Sequence, residues 1–242
     1  MKYALVYPIC ATFLVFNQGC ASVPAGARVT GPQLIVTMTV AGNINPNDYY
    51  FVLFNATSNP VASQGPIPVV ASPWGNGFAA GQFTGFVRVD SSQPNGGYGV
   101  YSVVPNTNLQ TFSYLGSPIN TTPVTAGSTF IQFTIPLSQL ATPSLSASSI
   151  TAVQMNFINT DRIPINPNDP NTKEFDALGD ARIPSQVNDP VTIPVTQSGT
   201  FDNATALDKE PEGDVTTCGN GVFQTVSNPD LDIIDWSVQV VQ

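Results

Sequence analysis

The sequence has no histidine in its 242 residues. That absence removes the side chain most often used for proton transfer near neutral pH. Cys–His and Ser–His nucleophilic machinery cannot be assembled from such a chain. Cysteine is scarce too, with three in all, at positions 10, 20 and 218, so no multi-bridge disulfide framework exists. Charge is thin and one-sided. Charged residues make up 10% of the chain, with 7 basic against 16 acidic side chains and a net charge of −9. An acidic surface repels phosphate backbones, which argues against nucleic acid as a partner. Neutral polar residues must therefore keep the chain soluble, amid 19 glycines and 22 prolines, a balance in keeping with exported β-proteins.

What is present begins with an address. Lys2 supplies a small basic start, and Tyr3 to Phe16 is an uncharged, mostly apolar run. A membrane span needs about 20 apolar residues, and Asn17, Gln18 and Gly19 end this one short. Residues 1–19 therefore read as a signal peptide, with a retained transmembrane anchor as the alternative. The following Gly19-Cys20-Ala21-Ser22 resembles the lipobox of bacterial lipoproteins in its small residue and cysteine. Asn17 and Gln18 depart from the aliphatic and small residues of that pattern. The resemblance implies lipidation of Cys20, a tether over residues 20–32, and attachment to a membrane at the cell envelope. Ordinary cleavage after Ser22, with secretion, is the competing reading. Without lipidation, a Cys20–Cys218 disulfide is open in an oxidising compartment; with it, Cys218 is a lone thiol, read as a small loop or core residue.

Residues 33–242 read as one all-β domain, a size such domains commonly reach. Gln33–Val40 alternates, with Leu34, Val36, Met38 and Val40 on one face, as a half-buried strand does. After the turn at Asn43–Asp48, Tyr49–Asn55 is continuously apolar or aromatic, which suits a strand covered on both faces. The pair is expected to form a hairpin. Ala56–Gln82 is a long Pro/Gly/Ser stretch around Trp74, and loops of that length are usually functional or mobile. Two readings of Trp74 stand: a plug beneath the loop, or an exposed ring on which a sugar stacks. Phe83–Asp90 and Tyr98–Val104 flank the turn signal Gln93-Pro94-Asn95-Gly96-Gly97 as a hairpin, and Thr111–Leu115 reads as a short edge strand.

Ser128–Leu137 alternates again, with Ile131, Phe133, Ile135 and Leu137 inward, and runs into IPLSQL at 135–140. A strand entering that segment is similar to family 9 carbohydrate-binding modules and the related DOMON-type sandwiches. ITAVQMNFIN at 150–159, with Val153, Met155 and Phe157 inward, fits the same pattern. So do the closing DIIDWSVQVV at 232–241, with Ile234, Trp236, Val238 and Val240 buried, and the pair Tyr49-Tyr50 after an Asn/Asp turn. The resemblance implies an antiparallel β-sandwich, immunoglobulin-like or jelly-roll-like. It also suggests a glycan or other polar ligand, with Trp74, Tyr49 and Tyr50 as stacking residues. DOMON-type domains that carry haem generally hold its iron through histidine and methionine, so the missing histidine argues against haem. Zinc is disfavoured on the same ground, since only oxygen ligands remain in number.

Oxygen ligands suit calcium. NPNDPNTKEFDALGD at 166–180 gathers Asp169, Glu174, Asp176 and Asp180 as a candidate Ca²⁺ site. Its spacing is not that of an EF-hand, and a solvated loop of Asx-turns explains the same residues. The second acidic run, Asp208–Asp214, reads as an exposed loop. Glu174 with Glu210 or Glu212 could formally serve glycoside hydrolysis, but nothing in their spacing shows convergence, so the chain reads as non-enzymatic. Two functions remain: a tethered module binding glycan or another polar ligand, and a structural or adhesive envelope protein working through contacts with cell-surface proteins.

Overall fold

The computed structural model describes residues 31–61, 64–93, 97–104, 111–187, 189–207 and 209–242. The leader with Cys10 and Cys20, most of the tether, the turn residues Pro94-Asn95-Gly96, and Asp208 lie outside the described residues.

The fold is an all-β sandwich of antiparallel sheets. The smaller sheet is built from β1 (Gln33–Val40), β8 (Asn120–Thr121), β9 (Phe130–Pro136), β13 (Gly199–Asp202) and β16 (Ile233–Val241), in the order β13-β16-β1-β9-β8. The larger contains β2 (Tyr49–Thr57), β5 (Gly85–Val89), β6 (Tyr98–Val104), β7 (Thr111–Gly116), β10 (Ala152–Thr160), β11 (Glu174–Ala177), β14 (Thr216–Gly219) and β15 (Val222–Thr225). Its order is β15-β14-β11-β10-β2-β5-β6-β7, and β12 (Val191–Pro194) also pairs with β10, beyond the end of β11. A ribbon of β3 (Pro66–Pro68) and β4 (Ala79–Gly81) and a single-turn helix α1 (Leu137–Leu140) complete the set.

Strand alternation explains the core. Leu34, Val36 and Met38 from β1, Phe133 and Ile135 from β9, and Val238 and Val240 from β16 face Tyr50, Val52, Phe54, Val153, Met155 and Phe157 across the sandwich. The opposite face of the larger sheet is apolar as well. Phe51, Leu53, Phe86 and Phe175 pack there against Phe78 and Ala79 of the long 56–82 segment and Phe83 just after it. That second layer is why β2 is buried along nearly its whole length, as its unbroken apolar run requires. The loop is therefore a cover, tied down by aromatic pairs such as Phe51–Phe78, whose ring centroids stack at 4.3 Å.

The expected β1–β2 hairpin does not form. β1 pairs with β16 and β9, while β2 pairs with β10 and β5. The 41–48 segment instead crosses between the sheets, since only a strand inside the larger sheet finds apolar cover on both faces. At the far end of the chain, a register shift opposite Thr39 and Val40 places Ile233, 0% exposed, in the core in place of Ile234. Such a bulge moves a side chain to the other face. β5 and β6 pair as the hairpin expected from their pattern, and β7 is the outermost strand beside β6.

Candidate functional site

The edges of the two sheets frame one groove. β12 borders the larger sheet and β13 the smaller, and Thr205, Ala206, Leu207 and Glu210 line the space between them. The groove holds about 270 Å³ and is lined by Val191, Ile193, Phe201 and Trp236 together with Asp202, Thr205 and Glu210. Period-2 alternation turns Ile193 and Trp236 inward, while Phe201 stays half-buried at the rim. Asp202 Oδ1 accepts from the Thr205 backbone N–H at 2.9 Å and from its hydroxyl at 2.6 Å, making a compact turn. Asn203 then ties the segment down: its Nδ2 donates to Ile234 O at 3.2 Å and its Oδ1 accepts from Glu210 N–H at 2.8 Å. These bonds set Glu210, 7% exposed, into the wall of the groove.

Behind Glu210 lies a buried acid cluster. In β11, alternation sends Phe175 and Ala177 to the outer aromatic layer, which turns Asp176 toward the space between the sheets. There its Oδ2 accepts from Ile233 N–H at 2.6 Å and its Oδ1 from Ala177 N–H at 2.9 Å. Asp232 accepts from Gly213 N–H with both oxygens at 3.0 Å. Asp214 Oδ2 accepts from Ala181 N–H at 2.8 Å, and Glu210 Oε2 from Gly179 N–H at 3.0 Å. Asp176, Asp214 and Asp232 bring ligand oxygens within 4.8 Å of one another, with all three residues buried.

Like charges in a low-dielectric interior resist ionisation. Burial first, and then the Asp214 carboxylate, hold Asp176 well above the usual carboxylate range. Burial and the charges of Asp176 and Asp214 do the same to Glu210. Asp214 is pushed up to about 7, mainly by burial, with the Ala181 N–H opposing and Asp232 adding to the rise. Burial also raises Asp232. The cation acting on Asp214, Arg182, is an exposed side chain held by Asp180 through two bonds of 2.7 Å.

The four residues proposed from the sequence as a calcium site do not converge. Asp169 pairs with Arg162 and accepts from Asn171 N–H at 2.9 Å. Asp180 is taken by Arg182, and Glu174 Oε2 accepts from Asn228 Nδ2 at 2.7 Å. Glu174 instead joins Asp161 and Asp230 in acting on Asp48, whose carboxyl is pushed up to about 6 by burial and then by those charges. Of the four, Asp176 alone enters the buried cluster, because it stands at an inward position of a strand and the others stand in turns or at strand starts. The 208–214 run is not simply an exposed loop either, since Asp214 is 0% exposed. Glu174 and Glu210 sit among different neighbours, so they form no facing pair of carboxyls.

The three aromatic candidates are not displayed. Trp74 is 2% exposed and its Nε1 donates to Asp169 O at 2.8 Å, so it is the plug beneath the loop. Tyr50 is 0% exposed; its hydroxyl accepts from Asn45 N–H at 2.8 Å and donates to Asp230 O at 3.1 Å. Tyr49 is half-buried with the Arg88 guanidinium 5.0 Å above its ring. A sugar needs an open aromatic face, and none of these offers one freely. Cys218 is buried at 4% exposure with a free thiol; Cys20, its conceivable disulfide partner, is outside the described residues. Phe201, Thr205 and Asp214 were not singled out as ligands from the sequence. One signal was available for Asp176, which stands between Phe175 and Ala177, whereas the turn carboxylate Asp169 stands between Asn168 and Pro170. No family model matches the chain, and no curated protein or solved structure is significantly similar to it.

Proposed function

We propose that the chain is an exported lipoprotein, tethered to a membrane through Cys20, whose sandwich is a non-catalytic module binding a glycan or another polar extracellular ligand. The observation that carries the binding role is the groove at the seam of the sheets. It combines a rim aromatic, Phe201, with a hydroxyl, Thr205, and carboxylates, Asp202 and Glu210. Apolar walls with a few placed polar groups are the usual make-up of a small-ligand site, and a ring-shaped polyol can use both. Support for export and tethering comes from the leader and from Gly19-Cys20-Ala21-Ser22. The non-catalytic reading rests on the lack of histidine and on Asp202, whose carboxylate is engaged in capping Thr205.

The test is affinity electrophoresis of the mature chain and of Phe201→Ala through gels cast with a panel of polysaccharides. Retardation of the native chain on at least one polysaccharide, relieved in Phe201→Ala, is expected. Unaltered migration on every polysaccharide would remove the glycan reading. The structural or adhesive alternative draws on a different surface, the outermost strand β7, where Tyr114 and Leu115 are 45% and 44% exposed. Export is checked by intact mass of membrane-fraction protein, which should show a lipid-sized increment on a chain beginning at Cys20.

A further inference from the structure

Four buried carboxyl groups packed together need bound protons or a counter-charge, and among the described residues no buried cation is paired with them. Backbone N–H groups orient one or both oxygens of each carboxyl, but two oxygens are left over. Glu210 Oε1 and Asp214 Oδ1 are buried and have no hydrogen-bond partner among the described residues. A third buried oxygen without a partner, Asn159 Oδ1, belongs to the residue directly across the β10–β11 ladder from Asp176. Asn159 is itself fixed toward the cluster's backbone, donating from Nδ2 to Leu231 O at 2.8 Å. Buried polar atoms are nearly always satisfied, so a concentration of orphan oxygens in one place points to a ligand that accepts electron pairs.

We propose that Asp176, Glu210, Asp214 and Asp232 hold a calcium ion, and that this ion ties the seam of the sandwich together. The donor set is all oxygen, as a hard cation requires. Calcium binds oxygen at about 2.3–2.6 Å, so two ligands on opposite sides of one ion stand about 4.6–5.2 Å apart and neighbouring ligands stand closer. One oxygen from each of Asp176, Asp214 and Asp232 lies within 4.8 Å of the others. Magnesium's 2.0–2.1 Å bonds ask for a tighter octahedron and several retained waters, which a pocket with backbone-fixed carboxylates and almost no exposure accommodates poorly. The site draws on three separate parts of the chain. Asp176 comes from β11 of the larger sheet, Glu210 and Asp214 from the connection between β13 and β14, and Asp232 from the entry to β16 of the smaller sheet. An ion there links both sheets and fixes Glu210 in the groove wall. The inference does not depend on what the groove binds.

The experiment uses the full mature chain, stripped with chelator and returned to calcium-free buffer at pH 7.5. Calorimetric titration with calcium chloride is expected to show one site. Free calcium at a hundred times Kd should raise Tm by about 5–10 °C, and magnesium at the same concentration should do much less. Asp214→Asn and Glu210→Gln remove charge from a crowded site, so both should fold without calcium at least as well as the native chain. Each should weaken calcium binding tenfold or more. Terbium luminescence sensitised by Trp236, whose ring borders the same groove wall, gives a readout independent of stability and should be competed away by calcium. The proposal is overturned if calcium produces neither heat nor a Tm shift in the native chain. It is equally overturned if Asp214→Asn and Glu210→Gln bind calcium as tightly as the native protein. Loss of glycan retardation with intact calcium binding would count against the groove alone.

Discussion

Lys173 offers the sharpest quantitative test of the fold. It lies immediately before β11, is 1% exposed, and its ammonium donates to Gly77 O at 2.8 Å with the Trp74 ring 5.7 Å away. Burial pulls its pKa from 10.5 to about 7, against which the Asp161 charge acts only in part. A displacement of that size corresponds to a penalty of about 5 kcal/mol on the charged form. The sign follows from proton counting. Between pH 7 and 10.5 the unfolded chain holds a proton that the folded chain has released, so stability rises with pH by up to about 1.4 kcal/mol per pH unit. Below the folded value the lysine is charged in both states and the full penalty remains.

Lys173→Met removes the charge and keeps the volume, at the cost of leaving Gly77 C=O without its donor, worth about 1–3 kcal/mol. The variant should therefore be more stable than the native chain by about 2–4 kcal/mol at pH 6, and less stable by about 1 kcal/mol at pH 10. Urea unfolding followed by tryptophan fluorescence at pH 6, 8 and 10 measures both. Because only the difference between the two chains is read, the titrating carboxyls of the acid clusters largely cancel. A stability difference that stays constant across that range would refute the claim that a charged ammonium is buried under Trp74.

Two further outcomes test the packing around the site. Trp74→Ala should lose about 3–5 kcal/mol, the cost of emptying a large buried site, whereas Trp74→Phe should lose about 1–2 kcal/mol with the bond to Asp169 O; equal unfolding midpoints for Trp74→Ala and the native chain would contradict its role as a plug. Gly179→Ala should destabilise by more than about 2 kcal/mol, since φ is +93° and an added Cβ would stand 2.3 Å from Gln186 O, a left-handed conformation and a backbone clash at once. The same urea titration reads it.

Much of the fold was legible as alternation. The burial of Leu34, Val36, Met38, Phe133, Ile135, Val153, Met155 and Phe157 follows from period 2 in the sequence, because a strand with one apolar face must turn that face to the core. The double cover of β2 was legible for the complementary reason, an unbroken apolar run. The pairing of β1 with β9 and β16 was not. Its contacts join residues roughly ninety to two hundred positions apart, and local pattern carries no information about which distant edge a strand meets.

The sequence by itself determined an all-β chain with sparse charge, no histidine chemistry, and oxygen as its abundant ligand atom. It also contained every carboxylate of the buried cluster, but it grouped them by nearness along the chain, setting Asp176 beside Asp169 and Asp180. Tertiary structure regrouped them. Strand alternation turned Asp176 inward, the 203–214 segment folded back on Asn203 to bring Glu210 and Asp214 to it, and the entry to β16 supplied Asp232. Whether a carboxylate is a solvated turn residue or part of a charged interior depends on what packs around it, and that is set by long-range sheet pairing. The same rule decided Trp74, whose indole could sit in water or under a loop until the aromatic layer on the outer face of the larger sheet closed over it.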